Sequence, residues 1–292
     1  MTFMDPLSST AEETTEETRI SALVTLLADD DPDVGDTISQ HLRDIGPAAL
    51  PALKEALGGI DPLLNERAER LVQELQQEEV IEEIARFGRD GATNLEAGLL
   101  LIGRLHTPDL KPGPSIERLN RMSEDLMLRL DPGDGVDRLL ARLARYLHEE
   151  QGFSGNTDDY QNPSNSYLHT LLETRNGIPI SLSCLYLLLG QRLALPLSGL
   201  GMPGHFLIKY DDGHDMRIID PFHRGRTLDR DGCGDLLRGL GVAFDERYLD
   251  PVPTRYILER TLNNLISVFT EHKRSHTARL HRRALDALRG AP

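Results

Sequence analysis

The sequence predicts an α+β fold that is predominantly helical and carries a small antiparallel sheet. Three observations lead there. Apolar residues recur at i, i+3 and i+4 over most of the first 150 positions and again after Tyr248, the signature of amphipathic helices. A short apolar segment from His205 to Tyr210 is joined by Asp211-Asp212-Gly213-His214 to a second, Met216–Asp220, and Asp-Gly between two such segments is a hairpin signal. Between these regimes, Ile180–Leu193 is apolar on nearly every face, as a helix buried all round must be.

Bulk composition narrows the function classes. The chain has 292 residues, 39% hydrophobic and 27% charged, which is ordinary for a protein that buries a core. Its net charge of −15 argues against general nucleic-acid binding, which relies on basic surface. No apolar run approaches the roughly 18 residues of a membrane span. Met1–Glu17 is acidic and lacks the basic and apolar regions of a secretory signal. The two cysteines form neither a disulfide framework nor a CxxC metal spacing. The expectation is a cytoplasmic, reduced protein with no cofactor or metal, bound to neither membrane nor nucleic acid, and with a protein or peptide partner.

Met1–Thr18 is polar, acidic and aperiodic, and is expected to be disordered. Residues 19–78 then show four apolar stripes: Leu23, Leu26 and Leu27; Val34, Ile38, Leu42 and Ile45; Leu50, Leu53 and Leu57; Leu64, Ala68, Leu71 and Leu75. Asp31-Pro32 and Asp61-Pro62 supply an N-cap followed by a proline at the first helical position. The phrases "DDDPDV" and "LRDIGPAALPALKEAL" resemble HEAT-type repeats, although plain helical packing accounts for the pattern equally well. From Glu79 to Gln151 further core helices follow, broken around Thr107–Pro114 and Asp131–Gly133. Gln151–Ser164 is a polar loop, Ser166–Thr174 a short helix, and Pro179 the start of the buried helix that ends at Ala194-Leu195-Pro196.

The hairpin carries the chemistry. With Asp212 and Gly213 as a two-residue loop, Asp211 pairs with His214, Lys209 with Met216, Leu207 with Ile218, and His205 with Asp220. That sets the imidazole and the carboxylate opposite each other, with Cβ atoms about 4.5–5.5 Å apart. A carboxylate so placed fixes the tautomer of a histidine base and stabilises its protonated form. A structural His–Asp pair at a sheet rim is the plainer alternative. His214 and His223 sit in turns near His205, but no HxH or HExxH spacing supports a metal site.

The segments "GFSGNTDDYQNPSNSYL", "GIPISLS", "PGHFLIKY" and "IIDPFHRG", in this order over about 85 residues, resemble the transglutaminase-like domain of SirB-type bacterial proteins. The resemblance implies a domain over residues 79–250, with a helical lead-in at 79–151 and a papain-like core at 152–250. It also implies a cysteine nucleophile at a helix N-terminus, with His205 as its base and Asp220 as the orienting group. Aligning the end of the cysteine helix with Ala194-Leu195-Pro196 puts Pro179 at the nucleophile's position, and proline has no nucleophile. Cys184 lies five residues on, rotated by about 140° and beyond the reach of the helix dipole. Ser181 is nearer the helix start, where a serine usually caps. Asn165 and Tyr167, in "NPSNSYL", are further cleft candidates, and Cys233 reads as structural. Residues 251–292 resemble a tetratricopeptide-like helix pair that packs on the core.

Two function classes are therefore compatible with the sequence. One is a binding or regulatory module that keeps the His205–Asp220 pair without thiol chemistry; the other is an amidase, protease or acyl-transferase acting through Cys184, His205 and Asp220. Pro179 favours the first. A helical scaffold is a third reading, which leaves the hairpin geometry unexplained.

Overall fold

The computed structural model describes residues 6–131 and 133–290, with side chains from residue 16 onward. The chain divides into two compact units, Met1–Glu82 and Glu83–Pro292. Among the described residues, no helix is long and apolar enough to cross a membrane.

The first unit is helical: α1 (Pro6–Leu26), α2 (Pro32–Ile45), a 3-10 turn, α3 (Leu50–Ala56) and the start of α4 (Pro62–Arg89). The expected caps form. Asp31 accepts from the Asp33 N–H at 3.0 Å, and Asp61 accepts from Leu63 at 2.9 Å and Leu64 at 3.1 Å. Each aspartate thereby satisfies amide donors that the first turn leaves open. Most of the stripe residues close into one apolar cluster with Val24, among them Leu27, Leu42, Leu53 and Leu71, whereas Leu26 and Leu57, expected on the stripes, are exposed. The acidic tail expected to be disordered differs from Pro6 onward, where α1 is already helical; positions 1–5 lie outside the described residues. Its alanine and glutamates are good helix formers, and elongation is easy once Ile20 and Val24 are fixed in the core.

The second unit begins with α5 (Leu95–His106), α6 (Pro112–Met127) and α7 (Val136–Arg145), which runs into one π-helical turn, Tyr146–Glu150. Strand β1 (Ser154–Gly155) lies in the polar loop and pairs in parallel with β2 (Asn176–Gly177), on the far side of α8 (Leu168–Thr174). Next comes α9 (Pro179–Arg192), in which every residue from Pro179 to Gly190 is buried. It is the core of the unit, touching helices α5, α6 and α8 and the later helix of residues 254–271.

The sheet is larger than the hairpin the sequence shows. Strands β3 (Leu197–Leu200), β4 (Leu207–Asp211), β5 (Met216–Asp220), β6 (Arg226–Leu228) and β7 (Pro251–Val252) form one antiparallel sheet in the order β6-β5-β4-β3-β7. The added strands are only two to four residues long, too short to leave a periodic signal. Helix α10 (Arg230–Arg238) follows β6, and α11 (Thr254–Glu271) and α12 (Ser275–Arg289) form the C-terminal pair. That pair docks on the core through close approaches. A Cβ on Gly98 would lie 2.4 Å from Leu258 Cδ1, and Arg255 donates to the Leu288 carbonyl at 3.0 Å and the Gly88 carbonyl at 2.6 Å.

The hairpin register is a correction. Asp211 faces Met216 and Lys209 faces Ile218, so the loop is Asp212–Asp215 rather than Asp212-Gly213, and the pairing is displaced by two residues. The cause is Asp212. Its carboxylate accepts from the amides of His214 at 2.9 Å and Asp215 at 2.7 Å, building a wider side-chain-capped loop. Because strand side chains alternate with period two, a slip of two leaves every side chain on its expected face. His205 lies two residues before β4, diagonal to Asp220 rather than directly opposite.

Since α9 has no exposed face over most of its length, truncating it leaves a cavity. Leu185, fully buried, converted to alanine is expected to cost roughly 2–5 kcal/mol. Denaturant unfolding would measure this, and a cost under about 1 kcal/mol would mean that α9 is not the core.

Candidate functional site

Asp220 ends β5 and is the centre of the site, with a side chain that has 0% exposure. A buried carboxylate is tolerable only if hydrogen-bond donors replace its water. Here Oδ1 accepts from His205 Nε2 at 3.0 Å and from the His223 amide at 3.2 Å, and Oδ2 accepts from His223 Nδ1 at 2.6 Å. Arg226 Nη2 stands 3.4 Å from Oδ2. Burial by itself would raise the Asp220 pKa, but the hydrogen bonds and charges of His205 and His223 outweigh it and hold the carboxyl down to about 2.

The turn after β5 presents these donors. Gly225 N–H returns to the Asp220 carbonyl at 2.9 Å, with Arg224 at φ +61° and Gly225 at φ +71°. A side chain at Gly225 would come within 2.5 Å of Tyr186 Oη, so glycine is required on both counts. Tyr186, from α9, is hydrogen-bonded to His148 Nε2 at 2.9 Å, and the other nitrogen of that imidazole meets the Phe153 carbonyl at 2.8 Å. Burial, then the Asp220 charge, pushes the Tyr186 phenol upward, which keeps it neutral beside the carboxylate. His205 is carried by the turn Met202–Gly204. Arg260 of α11 clamps that turn by donating to the Met202 carbonyl at 2.6 Å and the His205 carbonyl at 2.7 Å. Phe222 sits edge-on to His205, with ring centroids 6.3 Å apart.

With Nε2–H directed at the carboxylate, His205 keeps its second nitrogen, Nδ1, free of any hydrogen-bond partner among the described residues. The arrangement can accept a proton or a hydrogen bond at Nδ1 and can hold the resulting positive charge against Asp220. His205, Asp220 and His223 also offer ligand-type atoms within 4.8 Å of one another. Two imidazoles donating to one carboxylate account for that closeness, and Arg226 places a fixed positive charge on the same oxygen as His223.

The other candidates separate from this group. Cys184 is 1% exposed, and desolvation pushes its thiol up to about 12, opposite to the shift that makes a thiol nucleophilic. Among the described residues no hydrogen bond joins it to His205. Its neighbour Ser183 donates to the carbonyl of Phe206, the residue just before β4, at 3.2 Å. Ser181 is used as a cap: it accepts from the Ile178 amide at 3.0 Å and donates to the Ile178 carbonyl at 3.2 Å. Pro179 is the first residue of α9. Asn165 fixes the preceding loop, donating to the Asp159 carbonyl at 2.8 Å and accepting from Asn156 at 3.0 Å. It reaches the site only indirectly, because the adjacent Tyr160 ring stacks edge-on against Phe222 at 5.9 Å. Tyr167 points elsewhere. Its hydroxyl meets His281 Nε2 of α12 at 3.1 Å, and its ring stacks on His106 at 5.0 Å. Cys233 belongs to an apolar cluster with Leu200, Leu207 and Ile218, and His214 is exposed in the hairpin loop.

Sequence reasoning placed His223 in a turn without pairing it to Asp220, and it missed Tyr186, His148 and Arg260. The spacing Asp-Pro-Phe-His was a readable signal for the first, since a histidine three residues after a strand-end aspartate folds back in a tight turn. The others depend on tertiary contact.

Similarity to known proteins agrees with this architecture. Residues 115–263 match the profile of a family described as the transglutaminase-like superfamily. A UPF0162 protein of Xylella fastidiosa (strain Temecula1) is 36% identical over 191 residues, which cover 63% of this chain and 68% of that protein. A UPF0162 protein of Pseudomonas aeruginosa is 29% identical over 169 residues, covering 57% and 61%. F-box only protein 21 of Homo sapiens is 32% identical over 148 residues, covering 48% of this chain and 23% of that protein. No solved structure matches the chain.

The depressed Asp220 carboxyl has a pH signature. A carboxyl lowered from its usual 3.8 to about 2 adds stability that is fully present above 3.8 and is lost as the pH falls through 2. The contribution is on the order of 2 kcal/mol. Asp220→Asn is expected to lower stability near neutral pH and to flatten the loss between pH 4 and 2 in urea titrations. Parallel wild-type and variant curves would show that the carboxylate is not so held.

Proposed function

We propose, from the premise that this chain belongs to the transglutaminase-like superfamily, that it works as a binding or regulatory module centred on His205 and Asp220, and not as a thiol enzyme. The observation that carries the reading is the state of Cys184: buried, without a hydrogen bond to His205, and shifted away from the thiolate. Pro179 at the first position of α9 supports it, because the helix start that would activate a thiol holds a side chain with no reactive group. The imidazole–carboxylate pair then recognises rather than reacts. His205 Nδ1 supplies an acceptor, or a charged donor once protonated, at the rim of a sheet where Phe222 and Tyr160 add aromatic surface. A protein or peptide segment bearing a hydrogen-bonding side chain suits these groups, and a cytoplasmic setting suits the two reduced cysteines.

Alkylation tests the thiol half of the reading. Iodoacetamide at neutral pH is expected to label Cys184 slowly, and equally slowly in His205→Ala. Rapid labelling that His205→Ala abolishes would instead identify Cys184 as a histidine-activated nucleophile. For the recognition half, peptides selected on the full chain by display should lose at least about tenfold in affinity, roughly 1.4 kcal/mol, on His205→Ala. Unchanged affinity for every selected peptide would place recognition elsewhere.

A further inference from the structure

Away from Asp220, α6 presents a second face. Arg118, Arg121 and Asp125 recur at helical spacing, and together with Arg175, Tyr146 and Gln151 they line an open cavity of about 510 Å³. We propose that this cavity binds a small-molecule polyanion through phosphate or carboxylate oxygens. Its volume falls within the roughly 300–1,000 Å³ typical of small-molecule sites.

Charge is the first argument. The chain as a whole carries −15, yet three guanidiniums converge here, and among the described residues none of the three makes an ion pair or a side-chain hydrogen bond. The neighbouring acids are largely accounted for. Asp125 is held by Arg129 at 2.6 Å and by the Tyr146 hydroxyl at 3.2 Å, and Glu150 is held by Arg129 at 2.9 Å. Glu124 is the lining carboxylate left to oppose an anion. Arginine forks match phosphate and carboxylate oxygens in pairs, which makes unpartnered guanidiniums in a concavity a recognition surface rather than a solvated face.

The second argument is an orphaned donor. Arg118 Nε is buried and has no hydrogen-bond partner among the described residues. Burying a donor without a partner is unfavourable, and an oxyanion drawn in beside Arg118 would offer it an acceptor.

The third is backbone geometry. The cavity wall is built on irregular segments: the π-helical turn Tyr146–Glu150, which places Tyr146 and leads into Gln151, and the left-handed Arg175 at φ +64° that ends α8. π-helical turns are rare and concentrate at functional sites. Such a turn needs a reason, and one is that it sets Tyr146 in this wall while His148, two residues on, bonds Tyr186 behind Asp220.

The test is calorimetric titration of the full chain with sodium pyrophosphate and with citrate, with sodium chloride at matched ionic strength as reference, alongside thermal unfolding. At least one polyanion is expected to bind and to raise the melting temperature, while chloride does not. Binding of pyrophosphate alone would identify a phosphate site, of citrate alone a carboxylate site, and of both a general polyanion site. Arg121→Ala, a change at an exposed position, should weaken that binding at least tenfold. Arg118→Lys, which keeps the charge and removes Nε, should weaken it without lowering the melting temperature of the unliganded protein. Arg282→Ala, on an exposed part of α12 outside the cavity, should bind as wild type. Failure of both polyanions to bind at millimolar concentration, or equal weakening by Arg282→Ala and Arg121→Ala, would overturn the proposal.

Discussion

A carboxylate with no exposure to water, Asp220, organises the transglutaminase-like core. Burying an unpaired charge is prohibitive, so the surrounding chain must deliver donors to both oxygens. The donors come from different places. His205 arrives on the turn before β4, held from behind by Arg260 of α11, while His223 and Arg226 arrive on the turn into β6. Satisfying Asp220 thus fixes the ends of three neighbouring strands and ties the C-terminal helix pair to the sheet. Behind it, Tyr186 and His148 join the buried helix α9 to the π-helical turn. A substitution at Asp220 therefore reaches farther than its immediate contacts.

Much of this was legible in the sequence where local physics decides the outcome. The Asp31-Pro32 and Asp61-Pro62 caps form as the dipeptides imply, and an all-apolar stretch became the all-buried helix α9. The proximity of His205 and Asp220 was legible although the register was wrong. The Asp212 side chain widened the loop by two residues, and a two-residue slip preserves the faces. What escaped was tertiary or too short to have a period: strands β3, β6 and β7, the fold-back of His223, and the turn of Tyr167 toward His281 rather than His205. The helicity of α1 from Pro6 escaped for another reason. Aperiodic charge carries no helical period, yet a helix packed at one end continues through residues of good helix propensity.

The same reasoning separates the site's chemistry from its ancestry. In this transglutaminase-like core the imidazole of His205 and the carboxylate of Asp220 meet at 3.0 Å. Here the helix start is occupied by Pro179 and by the Ser181 cap, and Cys184 is enclosed in the apolar interior of α9. Among the described residues, Asp220 orients the His205 imidazole through Nε2, and no hydrogen bond joins that imidazole to Cys184. The arginine-lined cavity lies on the other side of the same π-helical turn, so the turn is shared between the two concentrations of polar groups.

The placement of protons around Asp220 is the most direct point of test. Long-range proton–nitrogen correlation spectra of the imidazoles report which ring nitrogen carries hydrogen. The account predicts a proton on Nε2 of His205 and on Nδ1 of His223 at neutral pH, each facing the Asp220 carboxylate, with both signals perturbed in Asp220→Asn. A His205 ring protonated at Nδ1 alone, with a bare Nε2, would contradict it.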